Sequence, residues 1–351
     1  MQYALMGNAT SEYLFLCDFF LVGDQAADDL FHTVMGKSLK ILMKTVENYL
    51  TYSYDCIGLF ICLHIVYRYQ DILHKQNIRV LDGYWEVLTG HLWLRFETIF
   101  ILNLESVKQL NALKAPVTDC RPHYIIRRYA EFSSALTCVN LTWPDDRLQQ
   151  MLNHLQVEAD NLLNRLADQA NFKDLPVGVK KNVDNKTKLI FLINNYDLIL
   201  TTFSQNSTET TSESLAFQEL LQTKTNEYVE ELLFTFFGPL ISFTTECEKL
   251  IQQDHQESLK RHLEKIPILT KTFANTWKRS IEQINQEAVT SFSSLKQGSN
   301  ALQIALTQLI QYYSRFQKVL ACPIFAKCPA RNDLVSIHHI IVEVKKFKPI
   351  Y

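Results

Sequence analysis

The stretch RPHYIIRRYAEF, Arg121–Phe132, places three arginines, a histidine and two tyrosines within twelve residues. Guanidinium groups at this density can grip phosphate or carboxylate through paired N–H donors. The stretch is therefore a candidate contact surface for acidic protein, lipid headgroups or nucleic acid. The tail VKKFKPIY adds Lys345, Lys346 and Lys348. Two other segments imitate ligand motifs and fail on spacing. MGKS, Met35–Ser38, ends like a phosphate-binding loop, but the glycine required five residues before Gly36 is replaced by Phe31. IHHIIVEV carries His338, His339 and Glu343. Adjacent helical residues point about 100° apart, and His339 with Glu343 supplies only two ligands, too few for a zinc site. Cys322 and Cys328 do not have the spacing of a zinc ribbon. No GxSxG, HExxH or GxGxxG occurs. The acidic pairs Asp28–Asp29 and Asp145–Asp146 sit at expected helix starts, where the positive dipole end favours them. No catalytic, cofactor-binding or metal-ligating residue is assigned, and the expected chemistry is binding.

These cations need an element to present them. Pro122 suits a first helical turn. From there Ile125, Tyr129, Phe132 and Leu136 fall at i, i+4, i+7 and i+11 and predict one buried face. Arg128 flanks that face beside Tyr124, and His123 and Arg127 are expected to point to solvent. Glu131 lies one turn from both arginines and offsets part of their charge. The segment is read as a core-packing helix first and a contact surface second. Lysines at a helix C-terminus complement its dipole; a weak membrane contact is the alternative for the tail. The candidate partner-contact residues are His123, Arg127, Arg128, Lys345, Lys346 and Lys348.

The rest of the chain supports a helical setting. Its 351 residues are 47% hydrophobic, enough to bury a core, and 35 basic against 37 acidic residues give a net charge of −2. That balance argues against a dedicated nucleic-acid binder. Only nine glycines and nine prolines occur, which points to long helices with few turns. In 145–169 apolar residues recur at Leu148, Leu152, Leu155, Ala159, Leu162 and Leu166, a heptad seam. A second seam, Leu302, Leu306, Leu309, Tyr313, Phe316 and Leu320, follows Ser299 as its expected N-cap and stops before Pro323. Further helices are expected near 24–54, 55–78, 80–114, 122–141, 186–204, 214–235, 238–264, 268–296 and 332–347, with no strands. Lys173–Asn185 and Ser204–Ser214 read as loops, and the main division is placed at the second, giving regions 1–204 and 215–351. Eight scattered cysteines without a CxxC suggest reduced thiols in a cytosolic protein. The N-terminus lacks the basic start of a signal peptide. The most apolar run, Ile57–Tyr67, is shorter than the roughly 20 residues a membrane span needs, so a buried helix is expected there.

Five blocks carry a resemblance: GDQAADDLFHTVMGKSL, RPHYIIRRYAEFSSAL, LIFLINNYDLIL, ALTQLIQYYSRFQKVL and IHHIIVEVKKFKP. In this order, from about Gly23 to Tyr351, they resemble the C-terminal half of the Vps-fifty-two (Sac-two-like) family. Members of that family are subunits of the Golgi-associated retrograde protein complex, GARP, and the endosome-associated recycling complex, EARP. The resemblance implies an all-α, elongated rod of stacked antiparallel helical bundles. It also implies a non-enzymatic scaffold that tethers endosome-derived vesicles at the trans-Golgi network, with no cofactor. Implied partners are the sister subunits, a Rab-type small GTPase and SNAREs. The implied location is cytoplasmic, peripheral on trans-Golgi network and endosome membranes, with no role for nucleic acid. The family's N-terminal coiled-coil region, used for assembly with sister subunits, lies outside the resemblance. A rival reading, drawn from the basic residues, is a peripheral protein that contacts anionic lipid directly.

Overall fold

The computed structural model describes residues 1–170, 185–206, 210–253, 256–325, 328 and 334–347, and among them there is no strand. The protein is all-α. In chain order the helices are α1 (Gln2–Phe20), α2 (Asp24–Thr51), α3 (Cys56–Lys75), α4 (Asp82–Lys108), α5 (Tyr124–Thr142), α6 (Asp146–Gln169), α7 (Asn185–Asn206), α8 (Ser212–Gln252), α9 (Gln256–Arg261), α10 (Ile266–Ser291), α11 (Leu295–Leu320) and α12 (Ile337–Lys345). The expected loop at Lys173–Asn185 falls, but for its last residue, outside the described residues. The contacts group the chain into two compact units, 1–111 with 129–162, and 112–128 with 163–351. The polar stretch Ser204–Ser214 joins α7 to α8, which pack on one another in the second unit.

In the first unit α3 lies along α4, α2 packs on α4, and α1 packs on α2 and α3. Helix α3 starts where Asp55 accepts the Gly58 N–H at 2.9 Å, a side-chain cap that satisfies one of the open donors of the first turn. Its buried stripe, Cys56, Leu59, Phe60, Leu63, Val66 and Leu73, follows the helical repeat. Phe60 meets Phe96 of α4 at 5.2 Å between ring centres, and Trp93 packs edge-on against both. By length and composition α3 is apolar enough to cross a membrane, yet this stripe is spent on the contact with α4. Helix α1, which no periodicity in the sequence announces, has no single apolar face and buries only Ala9 and Leu16.

The second unit is organised on α8, against which α7, α10 and α11 pack. Thr211 and Ser214 open α8 with a reciprocal capping box. The sequence suggests two helices here, broken before Pro239. The structure bears this out: Phe237, at φ −125°, ψ 16°, is non-helical, so α8 is two helices joined at a kink, with Pro239 just inside the second. Both heptad seams are buried throughout, from Leu148 to Leu166 and from Leu302 to Leu320. Phe273 of α10 stacks on Tyr313 of α11 at 4.6 Å. The Tyr313 hydroxyl donates to the Val335 carbonyl at 2.7 Å and fastens the segment before α12. Helix α11 begins one turn earlier than expected. Ser294, not Ser299, caps it by accepting the Gln297 N–H, because Gln297 and Gly298 are already buried. Each large apolar side chain so buried contributes roughly 1.5–3 kcal/mol.

Candidate interaction surfaces

Helix α5 carries the arginine-rich stretch, and it starts at Tyr124, two residues later than Pro122 suggests. Its buried residues are Ile126, Tyr129, Ala130, Ser133, Ser134, Leu136, Thr137 and Asn140, while Ile125 and Phe132 are half-buried. The inward face is thus turned by about one residue from the expected one. Small Ala130, Ser133 and Ser134 on that face permit close approach. Arg127 is exposed, as expected, and Arg128, placed at the flank of the buried face, is exposed as well. No ion pair to either is present among the described residues. The Arg128 guanidinium lies 5.8 Å from the centre of the Tyr124 ring, a cation–π distance.

His123 corrects the expectation. It does not face solvent but is buried just ahead of the helix. Its backbone N–H donates to Asn195 Oδ1 at 2.8 Å, and its Nδ1 accepts the Ile125 N–H at 3.4 Å. Burial lowers its pKa, against a smaller upward pull from a hydrogen bond to the Ala115 backbone. A neutral ring suits an acceptor inside a helix start; a protonated one would meet an N–H with another N–H. His123 is therefore a packing residue, and the exposed cations of this surface are Arg127 and Arg128.

The residues that hold this approach in place were missed from the sequence. Asn194 and Asn195 are buried in α7 among Leu192, Ile193 and Tyr196. Asn194 Nδ2 donates to the Cys120 carbonyl at 2.8 Å, and its Oδ1 accepts the Ser293 N–H at 2.9 Å. Asn195 donates to Phe191 O while receiving His123 N–H. Two amides side by side in the apolar run LIFLINNYDLIL are the signal that marks them: buried polar groups need partners. Around Asn194 a polar cleft of about 510 Å³ is lined by Thr118, Arg121, Thr187, Thr290 and Ser293 among others.

At the other end of the chain Lys345 and Lys346 are exposed on the last turn of α12. Lys346 Nζ is 2.8 Å from Glu343 Oε1, which neutralises it locally. Lys348 lies outside the described residues. His338 and His339 are both exposed, and among the described residues no three His, Cys, Asp or Glu side chains are grouped to hold a metal ion. All eight cysteines are free thiols. MGKS lies in the middle of α2, a continuous helix with no loop to wrap a phosphate. Asp145 caps α6 through the Arg147 and Leu148 N–H groups, whereas Asp28 and Asp29 fall in the second turn of α2, not at its start. The first unit also has an apolar cleft of about 410 Å³, bordered by Val46, Tyr49, Leu59, Ile65, Leu88 and Leu92 among others.

Residues 1–229 match the protein-family model described as Vps52, C-terminal. The chain is 43% identical over 348 residues to the vacuolar protein sorting-associated protein 52 homologs of Canis lupus familiaris and Homo sapiens, across 99% of this chain and 46% of each relative. It is 31% identical over 357 residues to the homolog of Caenorhabditis elegans, across all of this chain and 49% of that protein. The chain thus spans about half the length of these relatives. No solved structure matches it.

Proposed function

The chain belongs to the Vps52 family, and we propose that it works as part of a vesicle-tethering subunit, by protein–protein contact and without catalysis. The observation that carries this reading is the 43% identity to vacuolar protein sorting proteins across 99% of the chain. In this reading the complex is GARP, with EARP as its endosomal counterpart, and the process is retrograde transport from endosomes to the trans-Golgi network and endosomal recycling. The chain acts on the cytoplasmic face of those membranes. Its helical units present surfaces to sister subunits, and a Rab-type GTPase and SNAREs are further partners. Long helices suit the task, because packed seams such as Leu302–Leu320 keep exposed residues at fixed spacing. The test is affinity capture of the tagged chain from cells, with the recovered proteins identified by mass spectrometry and a charge-matched helical protein as control. Enrichment of the sister GARP or EARP subunits over that control supports the reading. Absence of those subunits and of any Rab-type GTPase or SNARE, with the chain folded and expressed, overturns it.

A second reading has its own observation. Arg127 and Lys345 are exposed without an ion pair among the described residues, which fits direct contact with anionic lipid. Flotation with phosphatidylserine vesicles at low and high salt decides it, since screening weakens a contact made by surface charge.

A further inference from the structure

The polar cleft around Asn194 is bounded by two segments that are not helical. One is Thr118–Arg121, ahead of α5, and the other is Phe292–Ser293, between α10 and α11. Phe292 and Ser294 both have extended dihedrals, φ −105°, ψ 147° and φ −113°, ψ 125°. One amide holds the two segments: Asn194 donates to the Cys120 carbonyl and accepts the Ser293 N–H. Just beyond Arg121, the His123 N–H is fixed by Asn195. The width of the cleft is therefore preset, and an entering ligand finds its partners already ordered.

The polar groups at the rim are not used by the fold. Among the described residues none pairs with the Arg121 guanidinium, and none bonds to the hydroxyls of Thr118, Thr187 or Ser293. Elsewhere threonine hydroxyls are spent on helix carbonyls one turn back, as Thr290 is on Gln286. The backbone N–H and carbonyl groups of Thr118 and Asp119 are open as well. Beneath them Ile190 and Phe292 are buried and give the cleft an apolar floor.

These groups select a ligand. An unpaired guanidinium grips a carboxylate through two parallel N–H donors. Asp119 limits the charge. Its Oδ1 accepts the Arg121 N–H at 2.9 Å, and its carboxylate borders the same cleft. A phosphate group, with nearly two negative charges, meets more repulsion there than a carboxylate with one. Asp119 also sets an acceptor among donors, and the main chain of an extended peptide presents both kinds of group in alternation. A volume of about 510 Å³ takes a few residues of such a chain, not a folded domain. A flat bilayer surface does not reach a floor as buried as Ile190 and Phe292.

We propose that this cleft binds an extended acidic peptide, with one Asp or Glu carboxylate on Arg121 and the peptide main chain between Thr118–Asp119 and Ser293. This does not depend on the tethering assignment, and it uses none of the basic residues of the anionic-lipid reading. The test is binding of the labelled full chain to an array of blocked pentapeptides whose central residue is Glu, Gln or phosphoserine. The Glu set is bound in preference to the other two, and N-methylation of the central residue removes the binding. Arg121→Gln lowers binding to the Glu set by at least about tenfold, the size of one lost charge-assisted pair, with circular dichroism unchanged. Asp119→Asn keeps an oxygen for the Arg121 N–H and removes the repulsion, so it raises phosphoserine binding to at least the level of Glu. Equal binding of all three sets overturns the proposal, as does Glu binding that survives Arg121→Gln. A parent chain that prefers phosphoserine overturns it in favour of a phosphopeptide. Loss of phosphatidylserine-vesicle binding in Arg121→Gln, with no peptide bound by the parent, overturns it in favour of lipid.

Discussion

Asn194 connects three parts of the second unit through one amide, taking the Ser293 N–H and giving to the Cys120 carbonyl. Asn194→Leu keeps the volume and strands both backbone groups, so it is expected to cost about 2–4 kcal/mol, read as a lower denaturation midpoint. An unchanged midpoint would mean that water replaces the amide. His123 and His64 set a pH dependence. Burial lowers the pKa of both rings below the ordinary 6.5; nearby Asp145 pulls the other way at His64. The unfolded chain then takes up protons at a pH where the folded rings stay neutral. Their contribution to stability is complete above the ordinary histidine value and is lost as pH falls below it. Melting temperature is expected to fall on acidification from about pH 7 to pH 5, with a shallower slope in His123→Gln. A slope unaltered by that substitution would remove His123 from the account. Residue identity was readable here only in part. The double asparagine stands out in an apolar run, but its partners outside α7 lie 72 or more positions away in the chain, beyond the reach of any local pattern.

At the scale of helices, periodicity was a good guide where one face is strongly apolar. The seams of α6 and α11 are buried at every position named from the heptad spacing. Leu309→Asp, in the middle of the α11 seam and 1% exposed, places a charge in that core. The expected loss is about 3–5 kcal/mol; soluble protein with an unchanged melting curve would put Leu309 elsewhere. Gly298→Ala tests a close approach. An added Cβ would sit 2.9 Å from the Ala288 carbonyl oxygen and 3.4 Å from Val289 Cα. The usual helix-propensity gain of alanine, about 1 kcal/mol, is therefore expected to reverse into a net loss of about 1–2 kcal/mol. A more stable variant would show that α10 can move away. Pattern failed where the signal is weak or misleading. Helix α1 mixes polar and apolar residues with no single apolar face, so it has no period to read. Pro239, by contrast, marked a true break: α8 is interrupted at non-helical Phe237 just ahead of it, and the Phe237 ring is buried against Phe273.

For the molecule as a whole, near-neutral charge predicts weak attraction to polyanions: with a net charge of −2 the chain is expected to pass a heparin column at physiological salt. Retention abolished by Arg127→Glu together with Arg128→Glu, with helicity unchanged, would give the exposed face of α5 a charged partner after all. The amino-acid sequence by itself determined the helical class, the two seams, most helix ends and the Vps52 family. These follow from a repeat of 3.6 residues, from caps and breakers, and from long blocks of residue identity, all of them carried along the chain. Only the tertiary structure decided that His123 is buried, that Asn194 ties α7 to Cys120 and Ser293, and that the aromatic end of α1 is left uncovered. The reason is physical. Periodicity tells which side of a helix is apolar, but burial depends on what distant segments bring against that side, and a helix with no single apolar side leaves that choice entirely to its neighbours.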